Sequence, residues 1–465
     1  MLFDHPTSRP RLGVRGLATA CIFAASLAMI SCSTPDNDNT VDAAGQDAEQ
    51  LEDVRPTEDA FTPEDCGPGD VTDGRDMREP DVREPDVVSE PDMSEPSDVI
   101  DGEDVVNPPI CPEAPFVWGG NIHEGSDEPA ALSAIMAERG LTRARMDLWG
   151  LDPTYVSTFR AAVDELSAQN ISVEAIIFNR FSAGQPGTNN CGANLENVEE
   201  TAYQETLTTL NRVGDIVQIF ELQNEIIFYP NIQVGGTTGQ QANDFDTPCG
   251  RFQAANLRGM SRAIVDLRAA TGRPYIIILG VTDRRFGFLT FMEEKGVTFD
   301  HVGYHIYPWE VHSPLDEDPW FGEGGALGQL AQFGRPIHIN EFNCGETYSG
   351  RGGYANQPDY ENAAGAPVTE MCLQSLAKHL RTLVEQDVAD IESLQFYELL
   401  DDPSKSPPEN RFGLLYDMET PKVHMALAAA FAGGALSPSE KNALTSRNLL
   451  TPEEIADWAD CSASP

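Results

Sequence analysis

Two short stretches of the chain end an apolar run on the same pair of residues. The run 216–220 leads into Glu221-Leu222-Gln223-Asn224-Glu225, and Pro336-Ile337-His338-Ile339 leads into Asn340-Glu341-Phe342-Asn343. Each reads as a buried strand that ends on Asn-Glu. A carboxylate in such a place is costly to bury unless it is paired or put to use. A single strand-end glutamate would pass as structural, whereas two in matching context predict two carboxylates, Glu225 and Glu341, facing one pocket. That is the minimum equipment for cleaving a glycosidic bond, with one group attacking the anomeric carbon while the other protonates the leaving oxygen. Two unrelated structural glutamates are the other reading of the same residues.

The elements that must position this pair alternate strand and helix from residue 111 onward. Apolar runs predict strands at 116–120, 142–148, 171–178, 216–223, 274–281, 299–305, 335–340 and 391–399. Helices are predicted at 130–139, 155–169, 201–213, 254–270, 288–295, 327–333, 369–385 and 423–431. Uniformly apolar strands rich in Ile and Val fit strands buried on both faces. Eight such units predict an α/β fold of the (β/α)8 TIM-barrel type. An open doubly wound sheet would want a glycine-rich phosphate loop after the first strand, and Gly119-Gly120-Asn121 is not followed by one.

A barrel collects its active groups where strands run into the following loops, and the candidates do fall there. Arg145 and Trp149 follow the second strand, and Asn179 the third. Asn224 and Glu225 follow the fourth, His305 and Tyr307 the sixth, with Trp309 just beyond. Glu341 ends the seventh, and Tyr397 and Glu398 end the eighth. Trp149, Trp309 and Tyr397 offer flat faces to the apolar sides of sugar rings.

These residues resemble a clan A glycoside hydrolase, the large group of (β/α)8 retaining enzymes. The resemblance covers roughly residues 112–434. It implies that Glu225, behind Asn224, is the acid/base and Glu341 the nucleophile. Within the clan, Asn340-Glu341-Phe342-Asn343 is similar to the nucleophile motif of family 39. Asp300-His301-Val302-Gly303-Tyr304-His305-Ile306-Tyr307-Pro308 is similar to that family's sixth strand. Arg145, in Thr142-Arg143-Ala144-Arg145-Met146-Asp147, stands where the clan has an arginine contacting the nucleophile. Phe412-Gly413-Leu414-Leu415-Tyr416-Asp417 with Pro421-Lys422 resembles the turn before the last helix. Gln223 and Ile226 depart from the Trp and Pro that usually flank Asn-Glu, and the eighth strand offers Phe396 or Tyr397 in place of Trp. The resemblance implies retaining hydrolysis of a neutral glycan of xylan, mannan or glucan type. A non-catalytic glycan-binding barrel, or an endo-acting hydrolase of another clan A family, remains open.

The front of the chain is a different polymer. Arg9, Arg11 and Arg15 precede an apolar run ending Ser31-Cys32, which reads as an export signal over residues 1–32. Ser31-Cys32 resembles a bacterial lipobox, which implies a lipid on Cys32, the only membrane contact expected, and a cell-surface or otherwise exported protein. Residues 33–110 hold 25 Asp and Glu against four Arg, with Arg78-Glu-Pro-Asp-Val repeated at Arg83. Such a segment cannot bury enough apolar surface to fold, and like charge and proline keep it extended.

Charge and cysteines bound the partners of the remainder. The whole chain carries −45; the acidic segment accounts for −21 and the signal for +2, which leaves −26 on residues 111–465. No basic patch is evident, so nucleic acid is not an expected partner, while a polysaccharide or oligosaccharide is. Cys111, Cys191, Cys249, Cys344, Cys372 and Cys461 are an even set, compatible with disulfides in an exported domain. Their pairing is not legible, although a Cys111–Cys461 bridge would tie the ends of the domain. No cysteine or histidine spacing predicts a metal, and no cofactor is expected. The barrel is placed at 111–436. The tail, 437–465, carries one predicted helix at 451–458, to which no chemistry is assigned.

Overall fold

The structure, a computed structural model, describes residues 116–123, 128–182, 185, 190–307, 321–344, 366–405 and 409–462. The predicted signal, the acidic spacer, Cys32, Trp309 and the Cys111–Cys461 bridge lie outside the described residues.

Eight parallel strands close on themselves in chain order. They are β1 (Val117–Ile122), β2 (Arg143–Leu148), β3 (Ser172–Ile177), β4 (Ile219–Leu222), β5 (Ile276–Thr282), β6 (His301–Ile306), β7 (Ile337–Phe342) and β8 (Ile391–Phe396). β1 pairs with both β2 and β8, which leaves no open edge. This is the (β/α)8 barrel that the sequence predicts. Its outer ring is α1 (Pro129–Glu138), α2 (Pro153–Ala168), α3 (Leu195–Val213), α4 (Pro248–Thr271), α5 (Gly287–Glu294), α6 (Gly325–Ala331), α7 (Ala366–Glu385) and α8 (Val423–Phe431).

Helices α3 and α4 start about six residues earlier than apolar periodicity suggests, and local caps explain both. The side chain of Asn194 accepts from the Asn197 N–H, and that of Thr247 from the Gly250 N–H with Pro248 in the first turn. Each cap satisfies an amide that a helix start leaves without a partner. A further helix, α9 (Pro438–Ser446), opens on a Ser437–Glu440 capping box that the reading of the tail passed over. The predicted tail helix appears as α10 (Pro452–Ser462), with Trp458 against Phe431 of α8.

The barrel interior is polar, unlike the apolar shell between strands and helices. Alternate residues of a strand share a face. Arg143 and Arg145 on β2, Glu174 on β3, Glu221 on β4, His338 and Asn340 on β7, and Ser393 and Gln395 on β8 are all buried. Two glycines make room for them. A Cβ on Gly280 of β5 would stand 2.9 Å from Glu221 Oε1, and one on Gly303 of β6 would stand 2.8 Å from Asn340 Nδ2.

Two disulfides are formed among the described residues. Cys191–Cys249 ties the loop before α3 to the start of α4, and Cys344–Cys372 ties the end of β7 to α7. Among the described residues no helix is long and apolar enough to cross a membrane.

Candidate active site

Arg145 is the centre of the site. It is 1% exposed, and every edge of its guanidinium is engaged. Nε donates to Glu221 Oε2 at 2.6 Å; Nη1 donates to Asn121 Oδ1 at 2.8 Å and Glu341 Oε1 at 2.9 Å; Nη2 donates to Asn224 Oδ1 at 2.9 Å. Glu174 lies below, 3.9 Å from Nε. Burial alone would weaken the charge of such a group, but Glu221, Glu341 and Glu174 outweigh it and hold Arg145 well above the ordinary arginine value. The fork therefore fixes the ends of β1, β4 and β7 relative to one another.

The end of β4 turns sharply. Gln223 and Glu225 both adopt left-handed backbone conformations, with φ of 62° and 44°. Side chains with a Cβ rarely adopt that region, and when they do the surrounding structure must hold them there. The turn delivers Asn224 to Arg145 and Glu225 to His305. Asn224 spends its carbonyl oxygen on Arg145 and keeps its NH2 free of partners among the described residues. Gln223 faces the other way, into a buried amide chain: Tyr229 OH donates to its Oε1, and its Nε2 donates to Asn179 Oδ1.

Glu341 and Glu225 meet across His305. The Nδ1 of His305 is 3.2 Å from Glu225 Oε1 and 3.3 Å from Glu341 Oε2. The two carboxyls bring oxygens within 4.8 Å of one another. Their surroundings differ sharply. Glu341's side chain is 4% exposed and receives hydrogen bonds from Arg145 and the Tyr307 hydroxyl, while Glu225's is 28% exposed. Burial would raise the Glu341 carboxyl, but His305, Arg145 and Tyr307 together hold it below the ordinary carboxylate value. Burial works against the charged form of His305 too, yet Glu341 and Glu225 raise it above an ordinary histidine. Burial, with Glu341 beside it, pushes the Tyr307 phenol well up, so it stays protonated and donates.

The other predicted residues divide. Tyr397 stands edge-on to Tyr307, with centroids 6.2 Å apart, and its hydroxyl accepts from Lys405 at 3.1 Å. Trp149 stacks on Phe178 at 4.5 Å, leaving its second face for other contacts. Asn179 does not fit the expected role of binding substrate. It is 3% exposed, its NH2 donates to Asn256, and its oxygen accepts from the Phe181 N–H and from Gln223. Its amide is consumed inside the protein because the loop after β3 folds inward onto α4.

Sequence reasoning passed over the groups that hold Arg145, namely Asn121, Glu221 and Glu174. The signal was available: a carboxylate inside Ile171-Ser172-Val173-Glu174-Ala175-Ile176-Ile177, or inside the apolar approach to Gln223, needs a buried cation. It also passed over the neighbours of Glu398, which is 1% exposed and accepts from His123 Nε2 and Lys405 Nζ, each at 2.7 Å. Two sets of donors could in principle hold a metal: Glu225 with His305 and Glu341, and His301 with His338 and Glu392. Arg145 stands 2.9 Å from Glu341 in the first, and Arg143 stands 3.3 Å from His338 and 3.5 Å from Glu392 in the second. A fixed guanidinium charge at that distance opposes a second cation, so both are read as hydrogen-bonded networks.

No protein-family model matches the chain, and no curated protein does. Among solved structures, the chain is similar to a family 1 β-glucosidase from Thermotoga maritima, at 14% identity and a TM-score of 0.47, covering 69% of this chain and 98% of that one. It is similar also to a β-glycosidase, BGL167, at 13% identity and a TM-score of 0.41, covering 69% and 97%. The barrel itself is read from the strand pairing above rather than from these distant likenesses.

Proposed function

We propose that the chain is a retaining O-glycoside hydrolase with Glu341 as nucleophile and Glu225 as acid/base. The observation that carries this reading is the pair of unlike carboxyls on one histidine, one buried and held ionised, the other open to water. Their closest oxygens lie within 4.8 Å. Retaining enzymes keep the two groups about 5–5.5 Å apart, whereas inverting ones need about 6.5–9.5 Å to admit a water between them.

In the first step Glu341 attacks the anomeric carbon as the bond to the leaving oxygen breaks and Glu225 gives that oxygen its proton. In the second, Glu225 takes a proton from water, the water oxygen bonds the anomeric carbon, and Glu341 leaves as a carboxylate. Tyr307 and Arg145 aim the Glu341 oxygens and keep them charged. The free NH2 of Asn224 is placed to donate to the sugar 2-hydroxyl, a contact that strengthens in the transition state. Tyr397 and Trp149 offer ring faces to the sugar. The clan A likeness and the neutral-sugar expectation belong to this reading, with family 39 as the nearest motif pattern. The two disulfides support an exported protein, and lipid anchoring through Cys32 is part of the same proposal.

The test is chemical rescue. Glu341→Gly should abolish turnover of aryl glycosides, and azide should restore it with a glycosyl azide as product. Glu225→Ala should slow substrates with poor leaving groups by about 10²–10⁴-fold and activated aryl glycosides far less. Full activity of Glu341→Gly without azide would end the assignment.

A further inference from the structure

Arg285 follows β5 and rests against the ring of Phe228, its Cζ 4.4 Å from the ring centroid. Phe228 closes the 3-10 turn Ile226–Phe228 that begins directly after Glu225, and its N–H donates to the Glu225 carbonyl at 3.0 Å. The guanidinium thus rests on the turn that directly follows the proposed proton donor, near enough for the Glu225 charge to reach it. Phe228 is 44% exposed, so the platform lies at the protein surface.

Several other described arginines that are not exposed pair with carboxylates. Arg160 pairs with Asp215 at 2.6 Å, Arg258 and Arg262 with Glu199 at 2.6 and 2.7 Å, and Arg381 with Glu454 at 2.6 Å. Arg285 is partly buried and has neither ion pair nor hydrogen bond among the described residues. Acids to match it are plentiful in a chain with 75 Asp and Glu against 30 Lys and Arg. Asp283 and Glu225 are the carboxylates whose charge reaches it, with Arg284 as the neighbouring cation, yet neither forms an ion pair with Arg285. The stem is confined as well: a Cβ on Gly239 would stand 2.7 Å from Arg285 Cγ. A guanidinium resting on a ring keeps its in-plane N–H fork available, and that fork matches a carboxylate in bidentate fashion. A charge left partly desolvated and unpaired is a cost that a bound anion would offset.

We propose that Arg285 is the anion-recognising group of the leaving-group subsite, and that the substrate carries a uronate carboxylate on the sugar beyond the cleaved bond. This rests on the hydrolase reading and corrects the expectation of a wholly neutral glycan: the sugar over Glu341 is neutral, and its neighbour is acidic.

The experiment compares uronate-bearing oligosaccharides, such as those from a glucuronoxylan, with the same mixture after its carboxyls are reduced to hydroxymethyl groups. The full-length protein should favour the acidic set by tenfold or more in kcat/KM, mainly through KM. Arg285→Gln should bring that ratio near one while leaving the reduced set unchanged, and Arg285→Lys should restore part of it. Calorimetric binding of both sets to Glu341→Ala reads the subsite without turnover, so a failure of hydrolysis and a failure of recognition are told apart. Equal treatment of both sets by the unaltered protein, in turnover and in binding, overturns the proposal. So does a loss in Arg285→Gln that is the same for both sets, which would mean that the residue only tunes Glu225. A preference for sulfated over uronate oligosaccharides would reassign the anion and overturn the carboxylate.

Discussion

At the scale of single residues, the site is a problem of keeping two carboxyl groups close while giving them different surroundings. His305 solves it by standing 3.2 and 3.3 Å from the two carboxyls. Its positive charge is the largest influence lowering the Glu341 carboxyl against burial. Replacing His305 with Asn removes that charge, so the Glu341 value must rise, and the acid limb of the kcat/KM profile should move to higher pH. An unmoved acid limb in that variant would mean that Arg145 and Tyr307 set the ionisation without His305. The Tyr307 hydroxyl donates to the same carboxylate. Hydrogen bonds to charged groups contribute about 1.5–3 kcal/mol, so Tyr307→Phe should lower kcat/KM by about 10–100-fold while leaving the melting temperature nearly unchanged. The meeting of Glu225, Glu341, Arg145, His305 and Tyr307 at one end of the barrel was legible because strand ends in a barrel converge. Asn179 misled because a polar residue at a strand end can equally serve the packing of its own loop, as its bonds to Asn256 and Phe181 show.

At the scale of elements, the strands were legible to within a few residues because apolar runs buried on both faces have no competing reading. Helix starts were less so, because Asn194, Thr247 and Ser437 act through local side-chain caps that lie outside any apolar period. The polar filling of the barrel was missed for a related reason: each buried polar residue looks like an isolated exception until the strands are closed into one ring. The cysteine pairing emerged only from the fold. Cys344–Cys372 closes 28 residues between the end of β7, three positions past Glu341, and α7. In the loop-entropy account such a bridge contributes roughly 3–4 kcal/mol. Replacing both cysteines with Ala should lower unfolding stability by about that amount, read by denaturant titration, and should lower activity further by loosening Glu341. Gly119 on β1 is a second structural test, since a Cβ there would overlap the carbonyl of Arg143 on β2. Gly119→Ala should cost about 1–3 kcal/mol of stability through overpacking at the β1–β2 seam, and a neutral outcome would mean that this seam is looser than its pairing implies.

At the scale of the whole molecule, charge is what distinguishes this barrel, since residues 111–465 carry a net −26. Two effects of salt then compete. Screening weakens surface ion pairs such as Arg251–Asp246 and Arg262–Glu200, at 2.8 and 2.7 Å, but exposed pairs contribute only about 0.2–1 kcal/mol each. Screening also relieves the mutual repulsion of the unmatched acids, which acts over the Debye length and shrinks from about 30 Å at 0.01 M salt to about 3 Å at 1 M. The acidic excess outnumbers the exposed pairs, so relief should win and the melting temperature should rise with sodium chloride. A falling melting temperature would place the ion pairs in control. Acid should act in the opposite sense to salt. Hydrogen bonds from Arg160 outweigh burial and hold Asp215 below its ordinary value, and at Glu454 those from Arg381 and the Thr451 N–H do the same against a burial cost that is the largest single influence. Carboxyls lowered in the folded state contribute stability that is present above their unfolded values and is lost as pH falls through the folded ones. Protonating other acids over the same range relieves repulsion, so the two contributions offset each other until the lowered carboxyls begin to titrate. Stability should therefore stay nearly level from neutrality down to the ordinary carboxylate range near pH 4.5 and fall steeply below it. Melting scans at fixed ionic strength would reveal that break, and a steady decline beginning near pH 6.5 would instead point to His301, whose charged form burial disfavours in the folded state, since His305, raised when folded, stabilises as pH falls.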